Sequence, residues 1–446
     1  MMLLVGKNQQ RRAAAKAEQR HRHRPTVPRE PGPPTADVFR RSEPEQRRRD
    51  EAYDLLQRWS RAAARLTGDQ LGYVVALELR RQEPGVLAVV EELLVAELGA
   101  RVAAAWEHGW EPRDLAHVTR KNPRVGAHLV ALIRVQASPC GALTRAPQRW
   151  RDQLAELGVE APLRVGWRPV TGTAGAADPD QTWTDLLLLL KLLAELVPLE
   201  PVGPTPSQWG RQPAAATSRS TTERDRVLRR IRALLAKAEA TDHPAEAETF
   251  TAKAQELMTR HAVDEAVLRS EQHEDIPVET RRVHLESPYA GVKATLLSAV
   301  AHPNRCRAIL IGGYDIAVLV GTPLDVDQSE ILFVSLLVQA TRAMTEAGQR
   351  RAGSFDRSAT FRRSFLVAYA TRIGERLQEA DRSTTASYGA ELVPVLQREA
   401  DAVSAEFERQ FPRTRSRESG YLDPRGWAAG RAAADRAALV AGQIPA

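Results

Sequence analysis

The sequence contains little cysteine and few aromatic residues: two cysteines, Cys140 and Cys306, and 5% aromatic side chains in 446 residues. No CxxC pair is present, which argues against a zinc ribbon or a thioredoxin-like redox site. Two distant cysteines make no disulfide framework, so we expect a reducing compartment and a cytoplasmic protein. The most apolar stretch, 186–199, is shorter than the roughly 20 residues of a membrane span and is interrupted by Lys191 and Glu195. We therefore expect a docking helix at 181–197 and no membrane partner.

Recognisable catalytic motifs are also missing. The sequence has no GxxxxGK[ST] phosphate loop, no GxGxxG after an expected strand, no GxSxG elbow and no HExxH pair. Scattered histidines are the remaining candidates for a metal or acid–base site: His243, His261, His284 and His302. His243 and His261 flank one expected helix and would lie roughly 27 Å apart, so they do not share one ion. We therefore expect no metal and no cofactor, and whether the protein is an enzyme stays open.

The positive charge is concentrated at the N-terminal end. Residues 1–49 contain 13 of the 63 Lys and Arg residues but only 5 of the 56 Asp and Glu residues, so the rest of the chain is nearly neutral. This segment has few large apolar residues and many prolines, and we expect a disordered tail. Such a tail can contact nucleic-acid phosphates without reading sequence, or can stay solvated without a partner. The residues that carry the nucleic-acid hypothesis are Arg11, Arg12, Lys16, Arg22, Arg24, Arg47, Arg48 and Arg49.

Helical periodicity follows the tail, with helices expected over 50–66, 74–81, 86–107 and 125–135. Gly109 suits the left-handed position after a helix end, and Pro112 suits the first turn of the next helix. Two helices joined by a glycine turn raise a helix-turn-helix hypothesis; the alternative is an ordinary helical hairpin with a solvated charged face. The cations in question are Arg113, Arg120, Lys121 and Arg124.

Irregular segments divide the chain, and a Pro/Ser/Thr-rich linker at 198–222 is the clearest boundary. The predicted order begins with the disordered basic tail (1–49), a helical domain (50–140) and an irregular segment (141–180). The docking helix (181–197) and the linker (198–222) follow. A helical hairpin (223–270) and an α+β domain with C-terminal helices (276–446) complete the chain.

Residues 222–263 have the most regular pattern in the sequence. Apolar residues recur on one face of a first helix, a turn follows at 240–243, and Pro244 suits the first turn of a second helix. The second helix has an apolar face of its own, so the two faces can cover each other in an antiparallel hairpin. The first face comprises Val227, Leu228, Ile231, Leu234, Leu235 and Ala238, and the second Ala247, Phe250, Ala254, Leu257, Met258 and His261.

The motifs RxxRALLAKAEAT (229–241) and HPAEAETFTAKAQELMTRHAVD (243–264) resemble a bacterial and phage family catalogued as domain of unknown function 2786. The segments after the hairpin also look like this family, and WEHGWEPRDL (106–115) is similar to its members. The resemblance implies a helical hairpin followed by an α+β segment. It implies no activity, because the family has none assigned.

Strand and helix patterns alternate in the C-terminal half. Strands are expected at 278–285, 307–311 and 316–321, with a hairpin turn at Gly312–Asp315, and helices at 289–302 and from 322 to about 347. This β-α-β-β-α order, with the helices around it, predicts a predominantly α-helical α+β fold.

The last helices carry three further signals. Four-residue spacing predicts a core stripe of Phe361, Phe365, Tyr369, Ile373 and Leu377. Arginines on the same segment either contact an anionic ligand or form a solvated face: Arg357, Arg362, Arg363, Arg372 and Arg376. Gly426 and Gly430 in the final helix allow close approach of a neighbouring helix.

Two functions of different classes remain. The preferred one is a non-enzymatic interaction or scaffold protein, with non-specific nucleic-acid contact through the basic tail and a hairpin that binds a partner or docks within the chain. The alternative is a hydrolase with a site in the α+β domain near the Gly312–Asp315 turn, using Asp315, Asp325 or Asp327. Clustered carboxylates with perturbed titration would favour the hydrolase. We prefer the first because catalysis usually leaves at least one local motif.

Overall fold

The protein has a predominantly helical α+β fold, as the sequence predicts. The computed structural model describes residues 43–161, 166–172, 178–210, 220–241, 244–271, 275–350, 358–386, 393–415 and 422–437. These residues form fifteen α-helices and one three-stranded antiparallel sheet. Among the helices within those ranges, none is both long and apolar enough to cross a membrane.

Eight helices form the N-terminal half and share one core. Trp59, Trp106, Trp110 and Trp183 are almost completely buried in it, because large aromatic side chains cover the apolar faces of several helices at once. The helices are α1 (Glu43–Arg65), α2 (Gly68–Leu79), α3 (Pro84–Glu107), α4 (Pro112–Thr119), α5 (Pro123–Ala137), α6 (Ala142–Arg145), α7 (Gln148–Glu156) and α8 (Pro179–Ala194).

The structure differs from the sequence prediction at both ends of this half. Helix α1 begins at Glu43 rather than residue 50, because Pro44 suits a first helical turn and the carboxylates of Glu43 and Glu45 favour its positive end. The segment 141–180, predicted to be irregular, contains α6 and α7. Trp150 on α7 is buried against Trp106, and this packing stabilises a helix too short to show a clear period.

The expected linker is partly ordered against the helices. Residues 206–208 form a turn of 3-10 helix, and the backbone N–H of Ser207 donates to Glu107 on α3 over 2.8 Å. Trp209 is buried, and its indole N–H donates to the carbonyl of Pro204 over 2.9 Å. Residues 211–219 lie outside the described part. The division of the chain into domains stays a prediction.

The hairpin forms as its pattern predicts. Helices α9 (Ser220–Ala240) and α10 (Pro244–Glu271) pack against each other, and Ile231, Leu235, Ala254 and Met258 are buried in one core between them. The side chains of the predicted capping box, Ser220 and Glu223, and of Ala247 lie outside the described part. The hairpin also packs on a C-terminal helix, which places α9 at the surface with one face inward and one outward.

The sheet has the order β1-β3-β2, with β1 at Glu279–His284, β2 at Arg307–Ile311 and β3 at Ile316–Gly321. Helix α11 (Ala290–Ala301) connects β1 to β2. All six residues of the central strand β3 are buried, as both faces of the sheet are covered. Strands β2 and β3 pair antiparallel on either side of residues 312–315, which confirms the predicted hairpin. Within its turn, Gly313 at φ 90° and Asp315 at φ 56° adopt left-handed backbone conformations.

Four helices complete the fold: α12 (Pro323–Arg350), α13 (Ala359–Ala386), α14 (Val393–Gln410) and α15 (Pro424–Arg436). The predicted stripe on α13 is buried along its whole length. Gly426 and Gly430 face the α13 backbone at Phe361 and Phe365, where a Cβ atom would clash with carbonyl oxygens. The predicted close helix crossing is therefore confirmed.

The N-terminal helices meet the sheet through a buried ion pair. Asp114 on α4 accepts hydrogen bonds from Arg282 on β1 and from its own cap residue Glu111, and His284 Nε2 lies 2.8 Å from the same carboxylate. Burial raises the pKa of Asp114, but the hydrogen bond to His284 and the charge of Arg282 bring it below its usual range. The carboxylate is therefore ionised where the two halves meet.

Candidate nucleic-acid interface

The outward side of α9 carries a row of cations, which we call the α9 face: Arg226, Arg229, Arg230 and Lys237, with Ala233 between them. All five residues are exposed. At about 100° per residue they fall within an arc of about 100° around the helix axis. The opposite arc holds the buried residues Val227, Leu228, Ile231, Leu235 and Ala238.

Contacts on both sides of α9 fix the direction of this face. Its inner side packs on α10 and α12. At the start of the helix, Arg224 pairs with Asp327 on α12 and donates to the carbonyl of Pro323 over 2.7 Å. Toward the end, Lys237 lies 5.6 Å from the ring centre of Phe250 on α10. The α9 face is thus held outward by packing on two other helices rather than displayed on a loop.

The arginines of the α9 face have no partners within the part of the chain that the structure describes. Arg226, Arg229 and Arg230 form no ion pair or side-chain hydrogen bond with any residue that the structure describes. The second helix of the hairpin differs, because Glu256 pairs with both Lys253 and Arg260 over 2.7 Å. The positive charge of α9 is therefore available to an external anion, whereas that of α10 is largely neutralised.

Of the residues that the sequence singles out for nucleic acid, three lie in the described part. Arg47, Arg48 and Arg49 are on the first turns of α1, where Arg47 lies 3.8 Å from Glu43 and Arg49 lies 4.0 Å from Glu92. The other five, Arg11, Arg12, Lys16, Arg22 and Arg24, lie outside the described residues. Nothing in the structure tests this part of the hypothesis.

The helix-turn-helix hypothesis fails on packing. Helix α4 is an internal element with Asp114, Leu115 and His117 buried. The cations of α4 and of the residues that follow it pair with carboxylates of the same chain and leave little charge for DNA. Arg113 pairs with Glu156, Arg120 with Asp315 and Glu286, Lys121 with Asp315, and Arg124 with Asp185.

The predicted arginine face of α13 is partly neutralised within the chain. Arg376 is buried and donates to three backbone carbonyls at the end of α15, including that of Asp435 at 3.2 Å. Arg372 pairs with the carboxylates of Glu375 and Asp435. Arg362 and Arg363 have no such partner among the described residues, and Arg357 lies outside them.

The acids proposed for a hydrolase are each held by arginine. Asp315 accepts from Arg120 over 2.6 Å; burial raises the pKa of Asp315, but the hydrogen bonds from Arg120 and Ser287 and the charge of Lys121 together bring it below its usual range. Asp325 accepts from Arg305 over 2.6 Å and Asp327 from Arg281 over 2.5 Å. These carboxylates are positioned as counter-ions, and their arginine partners are too distant in the chain to be predicted from local sequence.

The four histidines do not converge. His284 lies against Asp114, 4.9 Å from the ring of His117, while His261 and His302 lie on other elements. His243 lies outside the described residues. Within the described ranges no group of three or more His, Cys, Asp or Glu residues has the geometry to hold a metal ion.

A second charged cluster, missed by the sequence analysis, lies where α10, α12, α13 and α14 meet. Burial raises the pKa of Glu399 to about 7, although Arg269 lies 3.0 Å away, and burial also raises the pKa of Glu265 and of Asp381. The cluster also includes Arg305 and Asp325. Four carboxylates thus share two arginines in a mostly buried space.

Comparison with known proteins identifies only the hairpin. A family model described as a protein of unknown function (DUF2786) matches residues 226–265, which contain the α9 face and most of α10. No curated protein and no solved structure matches the chain. The resemblance of the flanking segments to this family stays a prediction.

Proposed function

We propose that this protein, whose hairpin is a DUF2786 segment, is a non-enzymatic interaction protein that contacts nucleic-acid phosphates through the α9 face. The basic N-terminal tail adds contacts of the same kind. Binding of this type depends on counterion release and does not read base sequence. The single observation that carries the proposal is a set of exposed arginines on one helix that have no partner among the described residues.

The charge balance of α9 supports this assignment. Between Arg224 and Ala240 the helix has six basic and two acidic residues, and only Arg224 of the six is held in an ion pair with a described side chain. An acid three or four residues away from an arginine on a helix offsets part of its charge. Among the described side chains, Asp225 is the one acid at such a spacing from the α9 face, four residues before Arg229, and it forms no ion pair with that arginine, so most of the positive charge stays available to phosphates.

The test compares binding of a fluorescent DNA duplex by three proteins at physiological salt. The full chain should bind, and the triple variant Arg226→Gln, Arg229→Gln, Arg230→Gln should bind about tenfold or more weakly, because three phosphate contacts are lost. A matched control, Arg65→Gln, Arg80→Gln, Arg81→Gln, removes the same charge from exposed arginines elsewhere. If both triple variants weaken duplex binding equally, net charge alone determines the affinity, and the α9 face is not the binding site.

Removal of residues 1–42 separates the tail from the folded part. If the shortened protein still binds and the triple variant weakens that binding, the α9 face acts on its own. Binding that vanishes with the tail, and that the triple variant leaves unchanged, would assign the function to the tail instead.

A hydrolase is the second candidate, and one observation favours it. A carboxyl group such as Glu399, with a pKa near neutral pH, can serve as a general acid or base. Its near-complete burial beside Arg269 and Arg305 argues for a structural role. Glu399→Gln would abolish any hydrolytic activity found in substrate screens if this group acts in catalysis, and would leave it intact otherwise.

A further inference from the structure

We propose that the α9 face binds in the major groove of B-form duplex DNA, in preference to duplex RNA or single strands. This inference rests on the proposed function and names the nucleic acid that the face fits. The number of cations supports phosphate binding, and their arrangement around the helix supports the choice of the major groove.

The cations surround a small residue. Arg229 and Arg230 differ by about 100° in direction around the helix axis and so project toward opposite sides of the face. Arg226 and Lys237 lie near its midline at the two ends, about 16 Å apart along the axis. Ala233 lies between them on the midline, and it is exposed. The middle of the face is therefore low and its borders are positive.

This shape complements a groove with two phosphate walls. An α-helix with its side chains is about 10–12 Å across, and the major groove of B-form DNA is about 12 Å wide. With Ala233 toward the floor, Arg229 and Arg230 reach opposite walls, and Arg226 and Lys237 follow the groove. A methyl group at the floor offers no hydrogen bond to a base edge, so the contact carries little sequence information.

Other nucleic acids fit the α9 face less well. The major groove of A-form RNA is deep and narrow, and side chains do not reach into it. Single strands are usually held by aromatic platforms on which bases stack, and the exposed residues of the α9 face are arginine, lysine and alanine. A single strand also has one phosphate backbone, so Arg229 and Arg230, which project to opposite sides, would not both contact phosphates in the way that two groove walls allow.

The experiment measures the affinity of the full chain for three probes of one sequence: a DNA duplex, an RNA duplex and single-stranded DNA. We expect the DNA duplex to bind about tenfold more tightly than either of the others. Ala233→Trp keeps the charge but fills the middle of the face, so it should weaken duplex DNA binding about tenfold. Ala100→Trp places the same side chain on an exposed site of α3 and should change nothing. Methylation of guanine N7 by dimethyl sulfate, a major-groove reaction, should be slowed by the bound protein.

The outcomes separate the two proposals. Equal affinity for all three probes, unaffected by Ala233→Trp but lowered by the Arg226, Arg229 and Arg230 triple variant, would keep the phosphate-binding function and overturn the groove assignment. Unchanged N7 methylation under saturating protein would overturn it as well. No binding to any probe, or no effect of the triple variant, would overturn the proposed function itself.

Discussion

The ion pair between Asp114 and Arg282 should contribute more to stability than the surface pairs around it. Both side chains are almost completely buried, at 1% and 2% exposure, and they join α4 to β1. Arg282→Met leaves the Asp114 carboxylate in a low-dielectric site with only Glu111 and His284 as partners. Loss of one partner from a buried pair costs about 3–5 kcal/mol, because an uncompensated charge remains.

The same helix provides the control. Arg113, next to Asp114, pairs with Glu156 over 3.7 Å, and both side chains are more than half exposed. Arg113→Met should therefore lower the free energy of unfolding by less than about 1 kcal/mol. Urea denaturation followed by circular dichroism measures both variants against the unmodified protein.

A double-mutant cycle isolates the pair. Arg282→Met combined with Asp114→Asn removes both charges but keeps an acceptor for the backbone N–H of Glu111. The double variant should recover part of the stability lost in Arg282→Met, with a coupling energy above about 1 kcal/mol. Additive losses, or an Arg282→Met variant no less stable than Arg113→Met, would refute the reasoning that this contact is desolvated.

Two further predictions concern close packing and pH. Gly430→Ala forces a Cβ against the Phe365 carbonyl and should lower the free energy of unfolding by about 1–3 kcal/mol. Gly291→Ala, in open space on α11, is the control and should raise the free energy of unfolding by up to about 1 kcal/mol. Thermal unfolding measures both variants, and equal effects would contradict the close crossing of α13 and α15. Burial, and then the charge of His284, lower the pKa of His117 to about 4, so its contribution to stability is lost as pH falls from 6.5 to 4. Glu399, with a raised pKa of about 7, loses its contribution as pH rises from 4.5 to 7. Chemical denaturation between pH 4 and pH 7 measures both effects. Relative to the unmodified protein, the free energy of unfolding should fall with rising pH in His117→Gln and rise with pH in Glu399→Gln, each by up to about 3 kcal/mol. Profiles parallel to that of the unmodified protein would refute both assignments.

Local patterns made the helices and strands predictable. The hairpin, the β2–β3 turn and the stripe on α13 all depend on residues a few positions apart, and the structure has them where the spacing predicts. Helices α6 and α7 were missed because each is too short for a period to emerge, and they depend on packing such as that of Trp150 on Trp106.

The roles of the arginines were not predictable in the same way. In the sequence, Arg120 and Arg376 look like Arg229, because each lies in or directly after a segment with helical periodicity. Their partners, Asp315 and the carbonyls at the end of α15, are distant in the chain, so the sequence gives no sign that they are neutralised. Only the folded arrangement shows which arginines pair within the chain, and it favours α9, where three neighbouring exposed arginines have no partner among the described residues.

The measurement that tests the central claim most directly is the salt dependence of duplex DNA binding. The logarithm of the affinity should fall linearly with the logarithm of the salt concentration, with a slope of about −0.9 for each phosphate contact. If Arg226, Arg229 and Arg230 each contact a phosphate, their replacement by glutamine should reduce that slope by about 3. A slope and an affinity unchanged by the triple variant would contradict the assignment of the α9 face as the nucleic-acid interface.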